Sequence, residues 1–94
     1  MSEEILDASD NIFTDLGFSR DEAAVLQMRA DLMVELRKFI ENKRLTQAKT
    51  AEILGVSQSR VSDLTRGKWE RFSLEMLITL ATRAGMRVSL RTAA

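Results

Sequence analysis

Apolar positions along this chain follow two different periods. From about residue 20 to 42 they follow the helical repeat: Leu26, Ala30, Met33 and Ile40 line one face, and Val25, Leu32, Leu36 and Phe39 widen it. Gln27, Asp31, Glu35, Lys38, Glu41 and Asn42 fill the polar arc. This spacing predicts one long helix, broad enough in its apolar face to be buried on two sides. Ser19, three residues before Glu22, has the spacing of a capping box at its start. Upstream, Asn11-Ile12-Phe13-Thr14-Asp15-Leu16 is at most a short helical turn. Downstream, Thr46 caps a helix over 47–54, Ser57 one over 58–66, and Ser73 one over about 74–84. Val56 with Val61, and Phe72 with Leu77, are spaced as hydrophobic staples. Gly17, Gly55, Gly67 and Gly85 fall where helices should stop.

Beyond Gly85 the period becomes 2. Met86, Val88 and Leu90 alternate with Arg87, Ser89 and Arg91, which predicts a half-buried strand over 86–92. A lone strand leaves backbone groups unpaired. Its simplest partner is the same strand of a second copy across a two-fold axis; the alternative is a loose terminus. The last helix and this strand therefore form the candidate homodimer interface, through Met76, Leu80, Met86, Val88 and Leu90. Within the last helix, Leu74, Leu77, Ile78 and Ala81 are expected to share one apolar side.

Composition narrows the chemistry. The 94 residues allow one domain, 1–94, with 46–66 its helix-turn-helix. Cys and His are both absent, so there is no disulfide, no thiolate or imidazole metal site and no usual general base. An enzyme is not expected, and no cofactor or metal is implied. No apolar run spans a bilayer, and the acidic start Met1-Ser2-Glu3-Glu4 lacks a basic flank. A cytoplasmic location away from membranes is the expectation. The 14 basic and 14 acidic residues cancel overall but are segregated. Residues 1–35 carry nine acids and two bases, a net of −7; residues 36–94 carry a net of +7. A basic working surface for a polyanion and an acidic segment with another task follow from that split. The acidic segment 1–18 is expected to be partly mobile, its first ten residues above all.

The two short capped helices meet at Gly55-Val56-Ser57. A three-residue turn containing glycine sets consecutive helices at roughly 90–120°, a helix-turn-helix. Ala51 is small where the helices cross, and Ile53, Leu54, Val56, Val61 and Leu64 form a wedge of core. The alternative is two plain core helices of a small bundle. The run Gln47-Ala48-Lys49-Thr50-Ala51-Glu52-Ile53-Leu54-Gly55-Val56-Ser57-Gln58-Ser59-Arg60-Val61-Ser62-Asp63-Leu64 resembles the helix-turn-helix of the Xre/Cro/phage-repressor superfamily, over about residues 36–84. Leu16-Gly17-Phe18, Arg44-Leu45-Thr46-Gln47, Arg66-Gly67-Lys68, Phe72-Ser73-Leu74 and the final strand give a wider, softer resemblance to HigA-like antitoxins. The implied fold is mainly all-α: a lambda-repressor-like helix-turn-helix bundle of four to five helices with one short C-terminal β-strand.

The resemblance implies that the second motif helix enters the major groove. Its base-reading residues would be Gln58, Ser59, Ser62 and Asp63. Gln58 suits bidentate pairing with adenine, and Asp63 could accept from cytosine N4. Equally, Asp63 could be a surface charge partnered by Arg60 or Arg66. Phosphate contacts would come from Thr46, Gln47, Lys49, Ser57, Arg60, Arg66 and Lys68, which set register without reading sequence. Gln47, in phage repressors, lies beside the residue matching Gln58 and braces it. Lys43 and Arg44 would add long-range attraction. Lys68-Trp69-Glu70-Arg71 is a basic loop, and Trp69 reads as a lid on the core below it rather than a stacking residue on DNA. The implied function is a transcriptional repressor on a palindromic double-stranded operator, and the antitoxin of its own operon, binding a basic toxin through residues 1–35. The alternatives are a stand-alone regulator and a protein-interaction module.

Overall fold

Every α-helix among the described residues begins on a side-chain oxygen. Asn11, Ser19, Thr46, Ser57 and Ser73 accept from the backbone N–H of Phe13, Glu22, Lys49, Arg60 and Met76 respectively. Each satisfies a donor that the first turn would otherwise leave orphaned. The computed structural model describes residues 11–93. Among them the order is α1 (Ile12–Asp15), α2 (Arg20–Asn42), α3 (Gln47–Leu54), α4 (Gln58–Thr65), a 3₁₀ turn (Trp69–Arg71) and α5 (Leu74–Arg83). The capping box at Ser19 and Glu22 is closed in both directions. Residues 1–10 lie outside the described residues, and with them the mobility expected there. Residues 11–18, part of the same expected segment, are folded.

The core forms where α2 crosses the rest. Met33, Leu36 and Ile40 of α2 meet Leu77, Leu80 and Ala81 of α5, with Leu54, Leu64 and Phe72 closing the cluster. The second buried side expected for α2 is not present. Val25, Met28 and Val34 are exposed, because α4 and α5 pack on one side of α2 and α1 covers only its start. At the other end, Asn11 is buried yet satisfied: its Nδ2 donates to the Ala23 carbonyl at 2.7 Å. That bond ties α1 to α2. Trp69 is the lid that the sequence indicated. It packs against the core cluster and meets Phe13 edge-on at 5.5 Å, with the Arg29 guanidinium 5.3 Å from its ring centre.

Two expectations at the C-terminal end are corrected. Leu80 is a core residue, 1% exposed, and Ile78 faces out at 37%. Leu80 is therefore unavailable to a partner. Leu77-Ile78 and Leu80-Ala81 are adjacent apolar pairs, so the helical period leaves either flank free to turn inward; α2 decides it. The strand over 86–92 is absent among the described residues, since one chain offers it no ladder. Met86 instead closes the end of α5, its N–H bonded to the Ala81 carbonyl at 2.9 Å, and packs half-buried on the core. Val88 and Leu90 are exposed.

α2 ends without glycine. Arg44 takes the left-handed conformation, φ 50°. Around it Arg44 N–H bonds Glu41 O and Leu45 N–H bonds Ile40 O, the doubly bonded helix stop usually built on glycine. Replacing Arg44 by Gly should therefore raise stability by about 0.5–1 kcal/mol, read as a higher urea midpoint. A lower midpoint would show that the Arg44 side chain stabilises more than its backbone costs.

Candidate nucleic-acid interface

Gly55 makes the corner. Its φ of 68° is left-handed, and Val56 N–H bonds back to Ala51 O at 3.1 Å. A Cβ at Gly55 would also lie 3.3 Å from Nη1 of Arg83. That guanidinium donates to the Leu54 carbonyl at 2.8 Å, so α5 grips the C-terminal end of α3. Thr50, fully buried, donates its hydroxyl to Thr46 O. Val61 and Leu64 root α4 in the interior. On its first turn Gln58 and Ser59 face outward.

The residues the sequence singled out differ in exposure, and two of them are held by other parts of the fold. Gln58 and Ser59 are exposed on the first turn of α4, and Ser62 is half-buried one turn later. Thr46, Gln47, Lys49, Ser57 and Arg66 are exposed, and Lys68 is half-buried. Gln47 and Gln58 are each the first residue of their helices. No hydrogen bond joins their side chains among the described residues. Lys49 lies 3.7 Å from Glu52 in an exposed pair, worth little in water.

The first of the two is Asp63. Its Oδ1 is 3.1 Å from Nη1 of Arg71, and its side chain is only 16% exposed. The surface-charge alternative was open at Asp63, but the partner is Arg71, not Arg60 or Arg66. The second is Arg60, whose guanidinium lies 4.4 Å from the centre of the Phe72 ring and donates to Arg71 O. Arg60 thus clamps the 69–72 turn from one side. Arg29 clamps it from the other, donating to Phe72 O at 2.8 Å and Trp69 O at 3.0 Å. Sequence reasoning missed the roles of Arg29, Arg71 and Arg83. Their partners lie across the fold, where no local spacing registers them.

The geometry is therefore two capped helices around a left-handed corner, the second anchored by its apolar side. The family model for a helix-turn-helix domain matches residues 12–93. The chain belongs to this helix-turn-helix family. Family membership makes it a DNA-binding regulator by class. Comparison with curated proteins gave no match. No helix among the described residues of this helix-turn-helix protein is long and apolar enough to cross a membrane.

Proposed function

We propose that this chain is a sequence-specific transcriptional repressor that binds a palindromic operator as a homodimer, with α4 in the major groove. The observation that carries the reading is the split of α4: Val61 and Leu64 are buried while Gln58 and Ser59 stand exposed on its first turn. A helix so placed offers its first turn to base edges, and Gln58 suits adenine. Thr46, Gln47, Lys49, Ser57, Arg66 and Lys68 would supply the phosphate contacts. The test is Gln58→Ala. On the duplex the wild-type protein selects from a random pool, binding should weaken by about 1–3 kcal/mol, and one base position should lose its preference. On random duplex it should barely change. Equal loss on both would remove Gln58 from base reading.

A second reading, that the chain is also the antitoxin of its operon, is favoured by the surface around α1 and the start of α2. Ile12, Leu16, Phe18, Val25 and Met28 are exposed, and Phe18, Val25 and Leu26 share an open groove with Asp21, Glu22 and Arg29, whose guanidinium is held by the carbonyls of Trp69 and Phe72. An apolar row edged with carboxylates suits a basic protein partner. A small basic protein encoded in the adjoining reading frame should bind this face, and Val25→Glu should abolish that complex without affecting duplex binding. A neighbourhood lacking such a frame leaves a stand-alone regulator.

A further inference from the structure

Resting on the DNA-binding reading, we infer that Arg71 is a phosphate-contacting residue of the interface, held at the outward edge of α4 by Asp63. The 69–72 turn is fixed at its backbone: Arg60 bonds Arg71 O, and Arg29 bonds the carbonyls of Trp69 and Phe72. The Arg71 side chain, by contrast, is 53% exposed. Its Nη1 reaches Asp63, and Asp63 is adjacent on α4 to Ser62 and one turn from Ser59 and Arg66. The guanidinium therefore sits beside the row of α4 residues that would face a duplex.

A guanidinium has five N–H donors in a rigid fork. One is engaged with Asp63, which leaves the others for an anion. The carboxylate orients the fork, so less freedom is lost when it meets a phosphate. The pair also solves a problem that Asp63 raises alone, a negative charge facing a polyanion. With Oδ1 engaged, Asp63 is a positioning residue for Arg71 rather than a reader of cytosine. Arg71 was not among the residues the sequence pattern offered. Eight positions and the Gly67 stop separate it from Asp63, so only the fold brings them together.

The experiment measures binding to a random-sequence duplex and to the duplex selected by the wild-type protein, each across a salt series. Arg71→Ala should weaken both roughly tenfold and flatten the salt slope by about one unit. Arg71→Gln, which keeps the packed stem, should give the same slope change. In the Arg71→Ala background, Asp63→Asn should restore roughly threefold by removing the uncovered carboxylate. An Arg71→Ala protein with wild-type affinity and slope overturns the inference while leaving the DNA reading intact. Asp63→Asn alone weakening only the selected duplex also overturns it, because Asp63 would then read a base. A wild-type protein that binds neither duplex overturns the DNA reading, and this inference with it.

Discussion

Replacing Phe72 by Ala should cost about 3–5 kcal/mol, the range for deleting a buried aromatic ring. Phe72 is 1% exposed and belongs to the cluster joining α2 to α5. A domain of this size has a total stability of about 5–14 kcal/mol, so the variant would lose a large part of it. The ring also carries the Arg60 guanidinium on its face, an interaction that truncation removes together with the packing. In urea the midpoint should fall sharply while the slope stays constant. Phe72→Leu, which keeps most of the volume, should lose much less. A Phe72→Ala midpoint within about 1 kcal/mol of wild type would mean that the cluster collapses into the space, and Phe72 would not be its centre.

What the sequence disclosed, and what it withheld, divides along the range of the interactions. Caps are local: Ser19 and Glu22 are three residues apart, Ser57 and Arg60 likewise, so the helix starts were readable from spacing. The corner at Gly55 was readable because its left-handed φ favours one residue type. The stop at Arg44 was not, since nothing in its side chain announces that conformation. The choice between Ile78 and Leu80 was equally hidden, because both fit an amphipathic helix and the decision belongs to α2. Within the interface, Gln58 and Ser59 came from the family resemblance, and both are exposed on the first turn of α4. Asp63 was left ambiguous because its partner lies beyond a helix stop. The Arg29 clamp spans 40 residues to Trp69 and 43 to Phe72, separations at which periodicity carries no information. The strand over 86–92 failed for a related reason: alternation marks a capacity to pair, and the ladder that would realise it needs a second chain.

That second chain leads to the largest expected effect. Under the proposed homodimer, deleting residues 87–94 should convert the protein to a monomer by sedimentation and weaken operator binding by about a hundredfold or more. The size of the effect follows from the two regimes of duplex binding. Specific sites are held at about 10⁻⁸–10⁻¹¹ M, whereas non-specific contacts give about 10⁻⁴–10⁻⁶ M. A single α4 reads one half-site; two copies joined rigidly read half-sites about 34–36 Å apart. Each adds its contacts without a second loss of translational freedom. The tail has the properties such a joint needs. Leu90 is 79% exposed and Val88 37%, on alternate positions of a segment that forms no strand within its own protomer. Paired with its two-fold mate, it would bury both and complete its ladder. Met76 and Ile78, exposed on α5, are the apolar side chains the pair could rest on, while Leu80 and most of Met86 stay with their own core. The deletion also separates assembly from folding. Val88, Leu90 and their neighbours lie outside the core cluster, so the thermal midpoint extrapolated to low protein concentration should hardly change. A truncated protein that remains dimeric, with unchanged operator affinity, would move the joint from the tail to the exposed face of α5 or to the Val25–Met28 row. A monomer that still binds the operator tightly would instead remove the need for a two-fold site altogether.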